Sequence, residues 1–143
     1  MIQVTDAWFQ SAVDIMAAPP DVVQSDRIAD LMGRHYGLKG QITLLASEIE
    51  RTASVDLFDD RQLILKTSTG SAAQDSFAFQ SATLAALADT QGVVVPTVLP
   101  TKVGELVFQD EGVVGYLQTR LEGNALHHLD PSAALGHRSG AAL

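Results

Sequence analysis

A single lysine ends the otherwise apolar segment Leu63-Ile64-Leu65-Lys66, which is unusual for a strand in the middle of a sheet. If a neighbouring helix oriented it, the ammonium group of Lys66 could pair with the phosphates of a nucleotide, because it carries a positive charge and several N–H donors. The alternative interpretation is a lysine at a strand end whose ammonium group lies in water. The segment itself fits either interpretation.

Other residues with catalytic potential do not combine into a site. The segment His128-Leu129-Asp130 has the letter pattern of a catalytic loop, but Pro131 follows at once, and a helix cap explains Asp130 better. No histidine has another histidine four positions away, so we expect the histidines to be polar surface residues and not metal ligands. No Walker-type glycine-rich loop and no Gly-x-Ser-x-Gly turn occurs, which disfavours P-loop and serine-hydrolase chemistry.

The composition is that of an acidic globular protein. Of the 143 residues, 46% are apolar, and nine basic against seventeen acidic side chains give a formal charge of −8. This charge disfavours nucleic acid and anionic membranes as partners and would suit an amine-bearing substrate. The chain has no cysteine, no run of the roughly 18 apolar residues that a membrane span needs, and no secretion signal. We therefore expect a cytoplasmic protein.

Apolar spacing predicts two helices before a sheet. A short helix over residues 6–16 ends before Pro19 and Pro20, and a second helix begins near Ser25, which can cap its first turn. Apolar residues recur along one side of the second helix at three- and four-residue steps. They are Ile28, Leu31, Met32 and Tyr36. Gly37 is expected to end this helix in a left-handed conformation.

From residue 40 the pattern changes to that of strands, with β-branched and apolar residues between polar turns. It predicts a three-stranded meander, one helix and a two-stranded hairpin, and a last helix opens at Asp130-Pro131. In chain order the first six of these elements lie at residues 41–46, 53–58, 63–67, 71–89, 105–109 and 113–119. Asp110-Glu111-Gly112 is the hairpin turn. The predicted fold class is α+β, with a five-stranded, mostly antiparallel sheet and one crossing helix.

The order of these elements, together with several short segments, resembles the amino-terminal lobe of the aminoglycoside phosphotransferase superfamily. The segments are His35-Tyr36-Gly37-Leu38-Lys39-Gly40, Leu45-Ala46-Ser47-Glu48, Leu63-Ile64-Leu65-Lys66, Phe79-Gln80-Ser81-Ala82-Thr83-Leu84, Val95-Pro96-Thr97-Val98-Leu99-Pro100-Thr101 and Thr119-Arg120-Leu121-Glu122-Gly123-Asn124-Ala125-Leu126. Each is weak alone, but their order and spacing are specific. The nearest branch resembles hydroxylysine kinase and its bacterial relatives, in which such a lobe can precede a class III aminotransferase domain.

The resemblance implies a protein kinase-like N-lobe at residues 25–120. Residues 1–24 would be a helical extension, and residues 121–143 the hinge and the start of a truncated second lobe. Lys66 would contact the phosphates of a nucleotide, and Gln80 would take the helix position that faces it. Ser47 and Glu48 would lie in the turn over the phosphates. The adenine would meet backbone groups at the hinge, at Thr119, Leu121 and Gly123.

Two departures from the family pattern bear on this site. Most kinases have glutamate where this chain has Gln80, so a contact with Lys66 would be a hydrogen bond and not an ion pair. The turn continues as Ile49-Glu50-Arg51-Thr52-Ala53, without the usual asparagine and phenylalanine. Both departures leave room for a second hypothesis about function.

The first hypothesis is an ATP-dependent phosphotransferase, with Mg²⁺, that acts on a hydroxyl group of an amine-bearing metabolite. Its base and metal-binding residues would belong to the second lobe, so this chain alone is expected to be inactive and to bind the metabolite only with that lobe. The second hypothesis is a non-catalytic kinase-like binding or regulatory module, possibly fused to a PLP-dependent aminotransferase. In either case, the exposed lobe interface predicts a homo-oligomer.

Overall fold

The computed structural model describes residues 25–47, 50–123 and 132–134. In chain order the elements are α1 (Ser25–Tyr36), β1 (Gly40–Leu45), β2 (Arg51–Leu57), β3 (Gln62–Thr69), α2 (Ser71–Leu87), β4 (Val98–Leu99), β5 (Phe108–Asp110) and β6 (Val113–Thr119). The predicted α+β class is confirmed. The predicted helix at residues 6–16 lies outside the described residues, as does nearly all of the predicted last helix. Within the described ranges no helix is long and apolar enough to cross a membrane.

All strand pairs are antiparallel, in the order β1-β2-β3-β6-β4, and β5 also pairs with β6. The prediction of five strands was wrong, because the sheet has a sixth, the two-residue strand β4. Strand β4 consists of Val98 and Leu99 alone, which is too short a segment to show the two-residue period of a strand. Strand β5 begins later than predicted, since Thr101 and Glu105 close a loop with an amide-to-carbonyl bond of 2.8 Å.

Alternation along the strands gives the sheet two faces. The α1 face carries Leu65 of β3 opposite Leu117 of β6, and helix α1 packs on it. Its buried apolar core consists of Ile28, Leu31, Met32, Tyr36, Ala53, Val55, Leu57, Leu63, Leu65, Phe108, Val113 and Leu117. On the α2 face, Val114 and Tyr116 of β6 pack against Phe77 of α2, whose ring meets the Tyr116 ring edge-on at 5.3 Å.

The end of α1 at Gly37 and the turn of the β5–β6 hairpin lie at the predicted residues. All four apolar residues predicted for one side of α1 are buried, and Gly37 ends the helix with φ of 66°. The Gly37 amide donates to the Gly33 carbonyl at 3.1 Å. In the hairpin turn, Glu111 and Gly112 both have positive φ, at 48° and 81°, as a tight turn between twisted strands requires.

An ionic cluster ties α1 to the β5–β6 hairpin. The Asp110 side chain is only 8% exposed and contacts three cationic or imidazole groups of α1. His35 Nε2 lies 2.7 Å from its carboxylate, Arg34 at 3.1 Å and Arg27 at 3.2 Å. The prediction that the histidines are surface residues was wrong for His35, which is half-buried and stacks on the Phe108 ring at 4.5 Å.

These contacts make a testable prediction about acid stability. The hydrogen bond from His35, with the charges of Arg34 and Arg27, holds the pKa of Asp110 below its usual range. A lowered carboxyl pKa stabilises the fold above the unfolded pKa of about 3.9, and that contribution is lost as the pH falls through the lower folded pKa. Asp110→Asn should therefore lower the free energy of unfolding by about 1 kcal/mol at pH 7.

Urea unfolding between pH 7 and pH 2.5 checks this prediction. The difference between the natural chain and Asp110→Asn should be largest above pH 4 and should shrink below it. Asp75→Asn is the matched control, because Asp75 is an exposed carboxylate of α2. A difference that grows as the pH falls would contradict the assigned role of Asp110.

Candidate functional site

Strand β3 places Lys66 on the α2 face of the sheet. Lys66 lies opposite Thr52 of β2 and Tyr116 of β6, while its neighbour Leu65 points into the α1 core. The Lys66 side chain is 27% exposed, and its Nζ lies 3.4 Å from Oε2 of Glu50. This geometry disfavours the interpretation of Lys66 as a lysine in water at a strand end.

A hydrogen-bonded chain of side chains continues from Lys66 to helix α2. Gln80 Nε2 donates to Oε1 of Glu50 at 3.1 Å and to Oγ of Ser76 at 3.0 Å. The Tyr116 hydroxyl donates to Oε1 of Gln80, also at 3.1 Å. Because a carboxylate only accepts and this hydroxyl donates, both ends of the Gln80 amide are oriented by their neighbours.

The structure shows no direct hydrogen bond between Lys66 and Gln80, the form that a pairing of the two was predicted to take. Lys66 forms an ion pair with Glu50, and Gln80 braces Glu50 from the other side. Glu50 stands just before β2, so strand alternation puts it on the same face as Thr52 and Lys66. The sequence signal for Glu50 was its position two residues before Thr52. With an assumed register that pairs Thr52 with Lys66, this position would have predicted that Glu50 lies near the lysine.

Tyr116 is the buried end of this chain. Its residue is 1% exposed, and burial, together with the nearby Glu50 carboxylate, raises the pKa of its hydroxyl to about 12. The hydroxyl therefore stays protonated across the neutral range and keeps its proton for the bond to Gln80. It acts as a fixed donor at the base of the site.

A cleft of about 360 Å³ opens between α2 and the sheet beside these residues. Lys66, Gln80, Tyr116 and Gln118 bring polar groups to its lining. Its other lining residues are Phe79, Thr83, Leu84 and Pro96. Mostly apolar walls with a few convergent polar groups are typical of small-molecule sites, and the sequence pattern had not indicated Tyr116 or Gln118.

The predicted adenine contacts at the end of β6 are only partly available. The Thr119 amide donates to the Thr97 carbonyl, and the Thr119 hydroxyl accepts the Thr97 amide, both at 2.9 Å. The Arg120 amide donates to the Gln62 carbonyl at 3.1 Å. The Thr119 amide is therefore engaged in strand pairing, and the contact of backbone groups between Thr119 and Gly123 with the adenine stays a prediction.

The remaining predicted residues differ in position. Leu121 and Gly123 are exposed beyond the end of β6, and their backbone makes no hydrogen bond to another described residue. Ser47 is exposed in the turn after β1, and Glu48 lies outside the described residues. Across the described parts of the chain no three His, Cys, Asp or Glu side chains cluster closely enough to hold a metal ion.

Two solved structures of small-molecule kinases are similar to this chain. Spectinomycin phosphotransferase, in complex with ADP and spectinomycin, is similar over 71% of this chain and 31% of its own, with a TM-score of 0.54 and 14% identity. Amicoumacin kinase, in complex with AMP-PNP, Ca²⁺ and Ami, is similar over 80% and 34%, with a TM-score of 0.58 and 11% identity. This chain thus spans about a third of the length of either.

At these identities the likeness shows the fold, and it confirms the predicted kinase-like N-lobe fold. A scan against models of protein families gives no match. A search of curated proteins gives none either. The resemblance to the hydroxylysine kinase branch stays a prediction.

The chain from Tyr116 to Gln80 predicts a specific response to pH. Tyr116→Phe should lower the free energy of unfolding by about 1 kcal/mol at pH 7, because Gln80 loses a donor. A tyrosine whose folded pKa is raised stabilises the fold below the unfolded pKa of about 10, and that contribution is lost as the pH rises through the folded value. The natural chain should therefore lose more stability above pH 10 than Tyr116→Phe does.

Denaturant unfolding at pH 7, 9, 10 and 11 measures both effects. Burial also raises the pKa of Tyr36, so part of the alkaline loss should remain in Tyr116→Phe. Equal alkaline losses in the two proteins would show that the Tyr116 hydroxyl is not held as described.

Proposed function

We propose that this chain forms the nucleotide-binding part of an ATP-dependent phosphotransferase that acts on a hydroxyl group of a small molecule. The observation that supports this most is the half-buried ammonium group of Lys66, oriented by Glu50 beside a cleft, in a fold shared with small-molecule kinases. A lysine that is already oriented needs little reordering when an anion binds.

The phosphates would contact Lys66. An ammonium group has three N–H donors, and among the described residues Lys66 pairs with the Glu50 carboxylate. The other donors can meet oxygens of the phosphate groups in the nucleotide. The residues present therefore fit a nucleotide phosphate without loss of the existing ion pair.

The base would lie toward the end of β6. Ile64 and Gln118 pair directly on the same face as Lys66 and Tyr116, one step closer to that end. From Tyr116 to Thr119 is roughly 10 Å, at about 3.3 Å per residue, which suits the distance between a base and its phosphates. A base over Ile64 would reach the backbone of residues 121–123, which has no hydrogen bond among the described residues.

Phosphoryl transfer also requires further groups, which we do not assign among the described residues. A carboxylate must orient the attacking hydroxyl, and Mg²⁺ would neutralise charge on the phosphates. We propose that the residues for both lie in the part of a larger protein that corresponds to the remaining length of the related kinases. The formal charge of −8 favours an amine-bearing substrate.

A non-catalytic kinase-like module is the second candidate function. The neutral Gln80 supports it, because helix α2 offers no carboxylate to Lys66. Such a module would keep the fold without binding the nucleotide. The two candidates therefore differ in one measurable property, the affinity for Mg²⁺-ATP.

Calorimetry with Mg²⁺-ATP tests the proposed function directly. The natural chain should bind, and Lys66→Ala should bind at least about tenfold more weakly, because it removes a charge-assisted contact with the phosphates. Lys39→Ala is the matched control, since Lys39 is an exposed lysine before β1 and should leave the affinity unchanged. Equal affinities of the natural chain and Lys66→Ala would contradict a phosphate contact, and no binding by either would favour the non-catalytic module.

A further inference from the structure

Glu50 connects the turn between β1 and β2 to the lysine of the site. Its carboxylate uses one oxygen for each neighbour, with Oε2 3.4 Å from Lys66 Nζ and Oε1 3.1 Å from Gln80 Nε2. The Glu50 side chain is 22% exposed, so water competes only partly for these contacts. Among the described residues, Glu50 is the sole carboxylate paired with Lys66.

Gln80 makes its hydrogen bonds to groups other than Lys66. Its Nε2 donates to Glu50 and Ser76, and its Oε1 accepts the Tyr116 hydroxyl, so both ends of the amide are engaged away from the ammonium group. A neutral amide would also attract an ammonium group less than a carboxylate does. The helix therefore contributes a brace for Glu50, and the charge comes from the strand side.

We propose that Glu50 is the positioning residue for Lys66, so that the orientation of the lysine depends on the turn that enters β2 and not on helix α2. This inference rests on the proposed function only in that the oriented ammonium group is taken to serve a nucleotide. Glu50 itself does not contact the phosphates in this proposal. It holds Lys66 where the phosphates can reach it, and Gln80, which accepts the Tyr116 hydroxyl, holds Glu50.

Calorimetry with Mg²⁺-ATP on the full chain gives the first arm of the test. Glu50→Gln keeps the shape of the side chain and should lower the affinity about tenfold. Glu105→Gln is the matched control, because it makes the same charge change at an exposed residue in the loop before β5 and should have no effect. The double variant Glu50→Gln with Gln80→Glu returns a carboxylate to the same hydrogen-bonded group, and it should recover most of the affinity.

Hydrogen exchange without nucleotide gives the second arm, which does not depend on the proposed function. If Glu50 is bound to Lys66, then Glu50→Gln and Lys66→Ala should each speed amide exchange at the start of β2, at residues 51–53. The variant that combines Glu50→Gln with Lys66→Ala should exchange no faster than either single variant, because both substitutions remove the same contact. Glu105→Gln should leave this exchange unchanged.

The outcomes separate the two proposals. If Lys66→Ala weakens binding while Glu50→Gln binds as well as the natural chain or better, the positioning role is overturned and the proposed function stands. If no protein binds nucleotide, the proposed function fails, and the exchange data decide on Glu50 alone. Unchanged exchange in Glu50→Gln would then overturn its contact with Lys66.

Discussion

The central strand β3 is covered on both faces, and this constraint shapes everything around Lys66. Leu65 is buried on the α1 face, while Lys66 lies on the α2 face between two neighbouring strands. A charged group in such a position is destabilising unless an opposite charge and hydrogen bonds replace its water. Glu50 supplies the charge, and Gln80 completes the hydrogen bonds of Glu50. The ion pair at the candidate site therefore also meets a requirement of folding.

Helices α1 and α2 pack on the sheet to different extents. Helix α1 has 12 residues, of which four are buried, and its contacts with Asp110 of β5 fix it to the β5–β6 hairpin. Helix α2 has 17 residues but buries only Phe77 and Ser81, and its first turn has no side-chain cap. Phe79 on α2 is 74% exposed. Elements with few buried apolar contacts open at lower free energy, so α2 is the side of the site that can move.

The sequence predicts best where one local rule decides the structure. Apolar spacing indicated the buried side of α1, and Asp110-Glu111-Gly112 indicated the β5–β6 hairpin, because both depend on residues close together in the chain. Strand β4 could not be predicted, since its two residues exist as a strand only through pairing with β6. The ionic cluster joins Asp110 to residues of α1 that are at least 75 positions away in the sequence, so no local pattern contains it.

The same limit applies to the candidate site. Lys66 could be selected from its own segment, because a basic residue after three apolar ones is visible locally. The partner of Lys66 could not be selected in this way, because the choice between Gln80 and Glu50 depends on the strand register and on where the helix packs. In protein kinases the corresponding carboxylate is on the helix, and that family pattern pointed to Gln80. The register, which pairs Thr52 with Lys66, instead brings the preceding Glu50 to the lysine.

This change of partner alters what a movement of α2 would do. When the carboxylate is on the helix, a helix that moves away takes the ion pair of the lysine with it. Here Glu50 enters β2, which is hydrogen-bonded to β3, so both members of the ion pair belong to the sheet. A displaced α2 would break the packing of Phe77 on Tyr116 and the bonds of Gln80 to Glu50 and Tyr116, each bond worth about 1 kcal/mol or slightly more, but not the ion pair itself. The orientation of Lys66 is therefore largely independent of the helix that is held less firmly.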